Sequence, residues 1–150
     1  MLRVGTILAI FLSLVCTSCF APEVTEMASI EGSEWNREVH VEVANSDTLS
    51  LRNLSIAVRT NSRFRESELA LKIQTLTPDG RSFEEECHLP IKVGRSAIVA
   101  QSVALPYRSD VCLAQQGKYI FVLTPLAPVK GIEAVGVAIS DIKESNNGKR

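Results

Sequence analysis

From residue 34 onward, apolar and polar residues alternate with a period of two, the pattern of strands that bury one face. Val39, Val41 and Val43 alternate with His40, Glu42 and Ala44, and Leu54, Ile56 and Val58 with Ser55, Ala57 and Arg59. Leu69, Leu71 and Ile73 repeat the pattern, and Phe83, Glu85, Cys87 and Leu89 form a further strand ending at Pro90. Val103, Leu105 and Tyr107 alternate around Pro106, whose missing N–H marks an edge strand. Tyr119–Leu123 is a continuous apolar run, which predicts a central strand, and residues 132–142 close the domain through Val135, Val137 and Ile139. Turn clusters separate these runs, the strongest being Thr77-Pro78-Asp79-Gly80, where Pro presets φ and Gly accepts a positive one. Helical periodicity is absent after residue 18, except for a single turn expected over residues 109–116. Seven or eight short strands predict an all-β fold, an antiparallel β-sandwich of Ig-like, Greek-key type. Tyr119, opening the central strand after Gly117-Lys118, reads either as a tyrosine corner folded onto the preceding loop or as a plain half-buried Tyr.

Residues 1–18 break the alternation. Arg3 and the amino terminus supply positive charge, and Val4–Val15 is an apolar run interrupted by Gly5, Thr6 and Ser13. It falls short of the roughly 20 residues a spanning helix needs and reads as a secretory signal. Thr17 and Ser18, both small, stand directly before Cys19 and resemble a bacterial lipobox, although Cys16 occupies the place where Leu is usual. The expected product begins at a lipidated Cys19, whose two or three acyl chains hold a small domain stably on a bilayer. An ordinary signal cut near Ala21 is the other reading. Residues 19–33 are polar and acidic and are expected to be a flexible lipidated tether, residues 34–142 the sandwich, and residues 143–150 a charged tail. The organisation predicts a bacterial membrane lipoprotein, placed in the outer membrane and facing the periplasm.

Composition narrows the function. With 16 Lys+Arg against 17 Asp+Glu, the chain lacks the basic excess that nucleic-acid binding needs. His40 and His88 stand alone in their strands, without the three or four convergent ligands of a metal site, and no metal or other cofactor is expected. Glu84-Glu85-Glu86 reads as a solvated, edge-protecting run, because alternation points Glu85 away from its neighbours. No nucleophile elbow, phosphate loop or dinucleotide fingerprint is present, so the expectation is a non-enzyme. Trp35, the single tryptophan, reads as a core anchor or, in the functional alternative, as a binding platform for a glycan. Cys87 and Cys112 are the cysteines left outside the signal and the lipid site. They read as a disulfide, worth about 3 kcal/mol by loop closure, or as two small buried hydrophobes.

Several fragments, taken in order, resemble the gliding-motility lipoprotein H family (GldH). They are Trp35; Asp47-Thr48 to Arg52-Asn53; Arg59-Thr60-Asn61; and Leu69-Ala70-Leu71-Lys72-Ile73 running into Thr77-Pro78-Asp79-Gly80. Leu105-Pro106-Tyr107-Arg108, Gly117-Lys118-Tyr119-Ile120-Phe121 and Lys130–Val137 complete the set. The resemblance covers residues 35–140. It departs at Ser62–Ser67, where the family has a Tyr-Pro-Tyr-Ser-Asn-Leu stretch, at the missing Trp-Leu-Gly turn between Cys87 and Leu105, and at Ala134, where aspartate is usual. It implies a non-enzymatic lipoprotein accessory to gliding and secretion machinery, whose partners are the membrane and other cell-envelope proteins. The alternative is a lipid-anchored sandwich that binds envelope glycan or peptide.

Overall fold

The computed structural model describes residues 24–94 and 100–142. Cys19, the signal, most of the tether's amino-terminal part and the charged tail lie outside the described residues. Among the described residues there are ten strands and no helix. β1 is Val24–Ser29, β2 Glu34–Trp35, β3 Val39–Asn45, β4 Leu51–Thr60 and β5 Glu68–Leu76. β6 is Ser82–Pro90, β7 Gln101–Cys112, β8 Gly117–Pro125, β9 Val129–Lys130 and β10 Ile132–Asp141.

Two four-stranded antiparallel sheets, ordered β1-β10-β4-β7 and β3-β8-β5-β6, face each other, with a small β2-β9 ladder beside them. The pairings nest: β5–β6 lies inside β4–β7, inside β3–β8, inside β1–β10. One long hairpin rolled up in this way is the double-Greek-key jelly roll. The antiparallel sandwich therefore stands, while the Ig-like detail does not. An Ig sandwich sets its first strand beside its second, whereas here β1 pairs with the last strand, β10.

Alternation assigned the faces correctly. Ile56, Val58, Val135 and Val137 from one sheet meet Leu69, Leu71, Phe121 and Leu123 from the other, all essentially inaccessible to water. The apolar run of β8 is central in its sheet, and Pro106 lies on β7, at a sheet edge. Interdigitation of the two inner faces gives the densely packed layer on which any β-sandwich depends.

Two expectations need correction. The segment read as a tether contains β1, which pairs residue by residue with β10 from Val24↔Ile139 to Ser29↔Ala134. Its sequence hid this because β1 sits at a sheet edge beside β3 and needs little apolar surface. Gly136 makes the docking possible, since a Cβ there would fall 1.9 Å from the Glu26 carbonyl oxygen. Residues 109–112, expected in a helical turn, continue β7 instead. They pass through irregular register near Pro106 and Arg108, and Asp110 has φ 55°.

The roll has two ends. One gathers residues 46–50, 77–81 and 113–116, the start of β1 and the end of β10. The other gathers residues 30–38, 61–67, 91–94 and 126–131.

Candidate functional site

The edge where β6 and β7 face each other across the sandwich carries the densest charge chemistry. Strand alternation on β6 turns Glu84, Glu86 and His88 to the outer face and Glu85 and Cys87 toward β7. The Glu85 carboxylate accepts from Arg108 through Nη2 at 2.6 and 2.7 Å and Nε at 3.1 Å, and it also accepts from the Tyr107 hydroxyl. The Arg108 guanidinium also lies 5.6 Å from the centroid of the Tyr107 ring. The Arg108 hydrogen bond, followed by that of Tyr107, holds the Glu85 carboxyl below the usual carboxylate range. Burial, reinforced by Glu85, pushes the Tyr107 hydroxyl up to about 12. Arg108 is raised further by the same carboxylate. Every oxygen of Glu85 is thus engaged by a fixed donor, so the cluster clips two sheet edges together. Sequence reading missed it because Glu85 and Arg108 belong to different sheets, and only the Leu105–Arg108 fragment hinted that the segment mattered.

The two neighbouring edges differ. β7 is broken by Pro106, by two shifts of register against β4 and by Asp110. β6 keeps one register against β5 through all nine residues, from Glu68↔Pro90 to Leu76↔Ser82. A regular edge strand presents an uninterrupted row of backbone donors and acceptors on its free side.

The expected site residues are distributed as follows. Trp35 is 1% exposed, and its Nε1 donates to the Arg37 carbonyl at 2.7 Å. That position is a core anchor. It corrects the reading of Trp35 as a binding platform, because a buried indole offers no face for a sugar to stack on. Cys87 and Cys112 are free thiols, which corrects the disulfide. Cys87 sits mid-strand opposite Leu71 on β5, whereas Cys112 ends β7 opposite Leu51, its Sγ donating to the Thr48 carbonyl at 3.2 Å. Burial raises the Cys87 thiol above its ordinary value. His40 and His88 are exposed, 3.2 Å from Glu38 and 2.7 Å from Glu68 respectively. Among the described residues, no group of three or more His, Cys, Asp or Glu side chains could hold a metal. Tyr119 folds back as the corner reading expects, but its hydroxyl accepts from the Gln115 N–H at 3.2 Å rather than donating.

No family model matches the chain, and no curated protein matches it. The geometry therefore carries the functional argument. Two clefts open at the end opposite the start of β1. One, of about 720 Å³, is lined by Asn61, Phe64, Arg65, Glu66, Ile91 and Lys92 among others, and the second, of about 590 Å³, by residues 29–39. Both are shallow and mixed in polarity.

Proposed function

We propose that the chain is a lipid-anchored, non-enzymatic component of a bacterial envelope that acts by contacting other envelope proteins, as an accessory to gliding and secretion machinery. Cys19 is the anchor, in the outer membrane, and the sandwich faces the periplasm. The observation that carries the protein-contact reading is the regular β6 edge beside the broken edge of β7. An extended segment can add to such an edge through main-chain hydrogen bonds, with specificity from alternate side chains. Glu86 on the outer face, beside a Glu84 that already pairs with Lys72 at 4.0 Å, favours a partner strand with Lys or Arg opposite it. The glycan alternative loses its platform with the burial of Trp35.

Two experiments test the proposal. A photo-crosslinker at Glu86 of the anchored protein is expected to trap an envelope protein in cells, while one at Ala104 on β7 is not. Equal yields from the two positions, or none from Glu86, sink the edge reading. Cys19→Ala is expected to release the protein from the membrane fraction, and retention of that variant with its acyl chains would refute the anchor.

A further inference from the structure

Resting on that anchored reading, we infer that the end of the sandwich from which β1 starts lies against the lipid surface, with Leu49, Leu51 and Ile142 seated among the headgroups. Large exposed apolar residues gather there. Leu49 is 87% exposed at the tip of the β3–β4 connection, Leu51 is 51% exposed and Ile142 36%. Arg52 pairs with Asp141 across β4 and β10, so Leu51 and Ile142 continue the register as neighbours on one face.

The chain outside the described residues places the membrane at this end. Val24 is level with Ile139 and Leu54, and Cys19 lies only five residue steps before it. Such a leash spans at most about 17 Å when fully extended. Leu51 lies three residues beyond Leu54, about 10 Å nearer the same end at the rise of a strand. Even a taut leash thus leaves the apolar tip within about 7 Å of the bilayer. A group held that close needs little intrinsic affinity, since tethering supplies a high effective concentration.

The surrounding polar groups suit this environment. Arg52 lies between Asp47 at 3.0 Å and Asp141 at 3.4 Å, and Asp79 pairs with Arg81 at 2.8 Å. Two arginines set against these three aspartates leave little net charge, so a neutral, zwitterionic surface is the one that fits. At the opposite end Leu126 is also exposed, but it stands a full strand length from the leash.

The test uses the full-length acylated protein in phosphatidylcholine vesicles containing lipids brominated on their acyl chains. An indole introduced by Leu49→Trp and lodged about 5–10 Å into the headgroup–acyl boundary is expected to be quenched about two-fold. One introduced by Leu126→Trp is expected to be unaffected, with the native Trp35 as a buried constant background. Because tryptophan itself seeks interfaces, hydrogen exchange of residues 46–50 in the vesicle-bound native protein supplies a second reading. It is expected to be several-fold slower than in the Leu49→Ser/Leu51→Ser variant. If Cys19 is acylated and the protein floats with vesicles, equal quenching at both ends, or no difference in exchange, overturns the end-on placement and leaves the anchor standing. If Cys19 carries no lipid and the protein does not float, both fall together.

Discussion

The two ends of the roll are held together by different means. At the end bearing the clefts, the apolar groups are inside: Trp35, Phe64, Val129 and Ile132 are buried beneath polar connections. Gly131, with φ 80°, lets the turn before β10 pack so closely that a Cβ would fall 2.2 Å from the Phe64 nitrogen. At the end where β1 starts, hydrogen bonds between polar groups hold the connections, with only Asn45 among those groups buried. Asn45 donates to the Leu113 and Gln115 carbonyls at 2.8 and 2.9 Å, Arg52 bridges two aspartates, and Gln115 clamps the Thr77–Arg81 turn through Asp79. Leucines are left pointing outward. The contrast separates an end held by an apolar cap from one held by polar clamps, the end that the proposal seats on lipid.

The largest expected effect lies at the cleft end. Trp35→Ala removes a fully buried indole and is expected to cost about 3–5 kcal/mol in denaturant unfolding. A cost under 1 kcal/mol would mean that this end is not held by its apolar cap. At the other end the corresponding change is Asn45→Ala, which orphans two carbonyls and is expected to cost about 1–3 kcal/mol. If it proved neutral, the polar clamps of that end would contribute nothing.

Between the two ends, the Glu85 clip is expected to show in the pH dependence. Its folded carboxyl titrates below the ordinary range, so its stabilising contribution is present above that range and is lost as pH falls through the folded value. Glu85→Gln should therefore be less stable than the wild type at neutral pH, with the gap closing in acid. A gap independent of pH would show that the carboxylate's charge is irrelevant. The thiols give a smaller, kinetic effect: without reductant, both should react with iodoacetamide, Cys112 well before the half-buried Cys87. A single resistant pair would restore the disulfide. The smallest effect belongs to Leu49→Ser, expected to change stability by less than about 0.5 kcal/mol because the side chain packs against nothing.

Much of the fold was legible because alternation is a direct record of which face is buried. β3, β4, β5, β8 and β10 declare themselves through Val39–Val43, Leu54–Val58, Leu69–Ile73, Tyr119–Leu123 and Val135–Ile139. β1 escaped because an edge strand over a corner buries only Val24 and Ala28 in part. The last residues of β7 escaped because Ser109 and Asp110 are polar and the strand is irregular there. Nesting of the pairs, which makes the fold a jelly roll, is a property of which strands meet and leaves no mark on any one of them. The candidate site was least legible, since the Glu85–Tyr107–Arg108 clip joins residues brought together only when the two sheets close. The regularity of β6 likewise emerges only from its register with β5.

The pairing of β1 with β10 also has a mechanical consequence. A pull on the proposed anchor reaches the body through Val24, at the end of β1 nearest the leash. Drawn along the strand axis, the six residue pairs from Val24↔Ile139 to Ser29↔Ala134 share the load in shear, and none can yield before the others are strained. Drawn sideways, the same ladder would unzip rung by rung. A body standing upright on the proposed anchor is therefore in the posture that best resists being pulled from it.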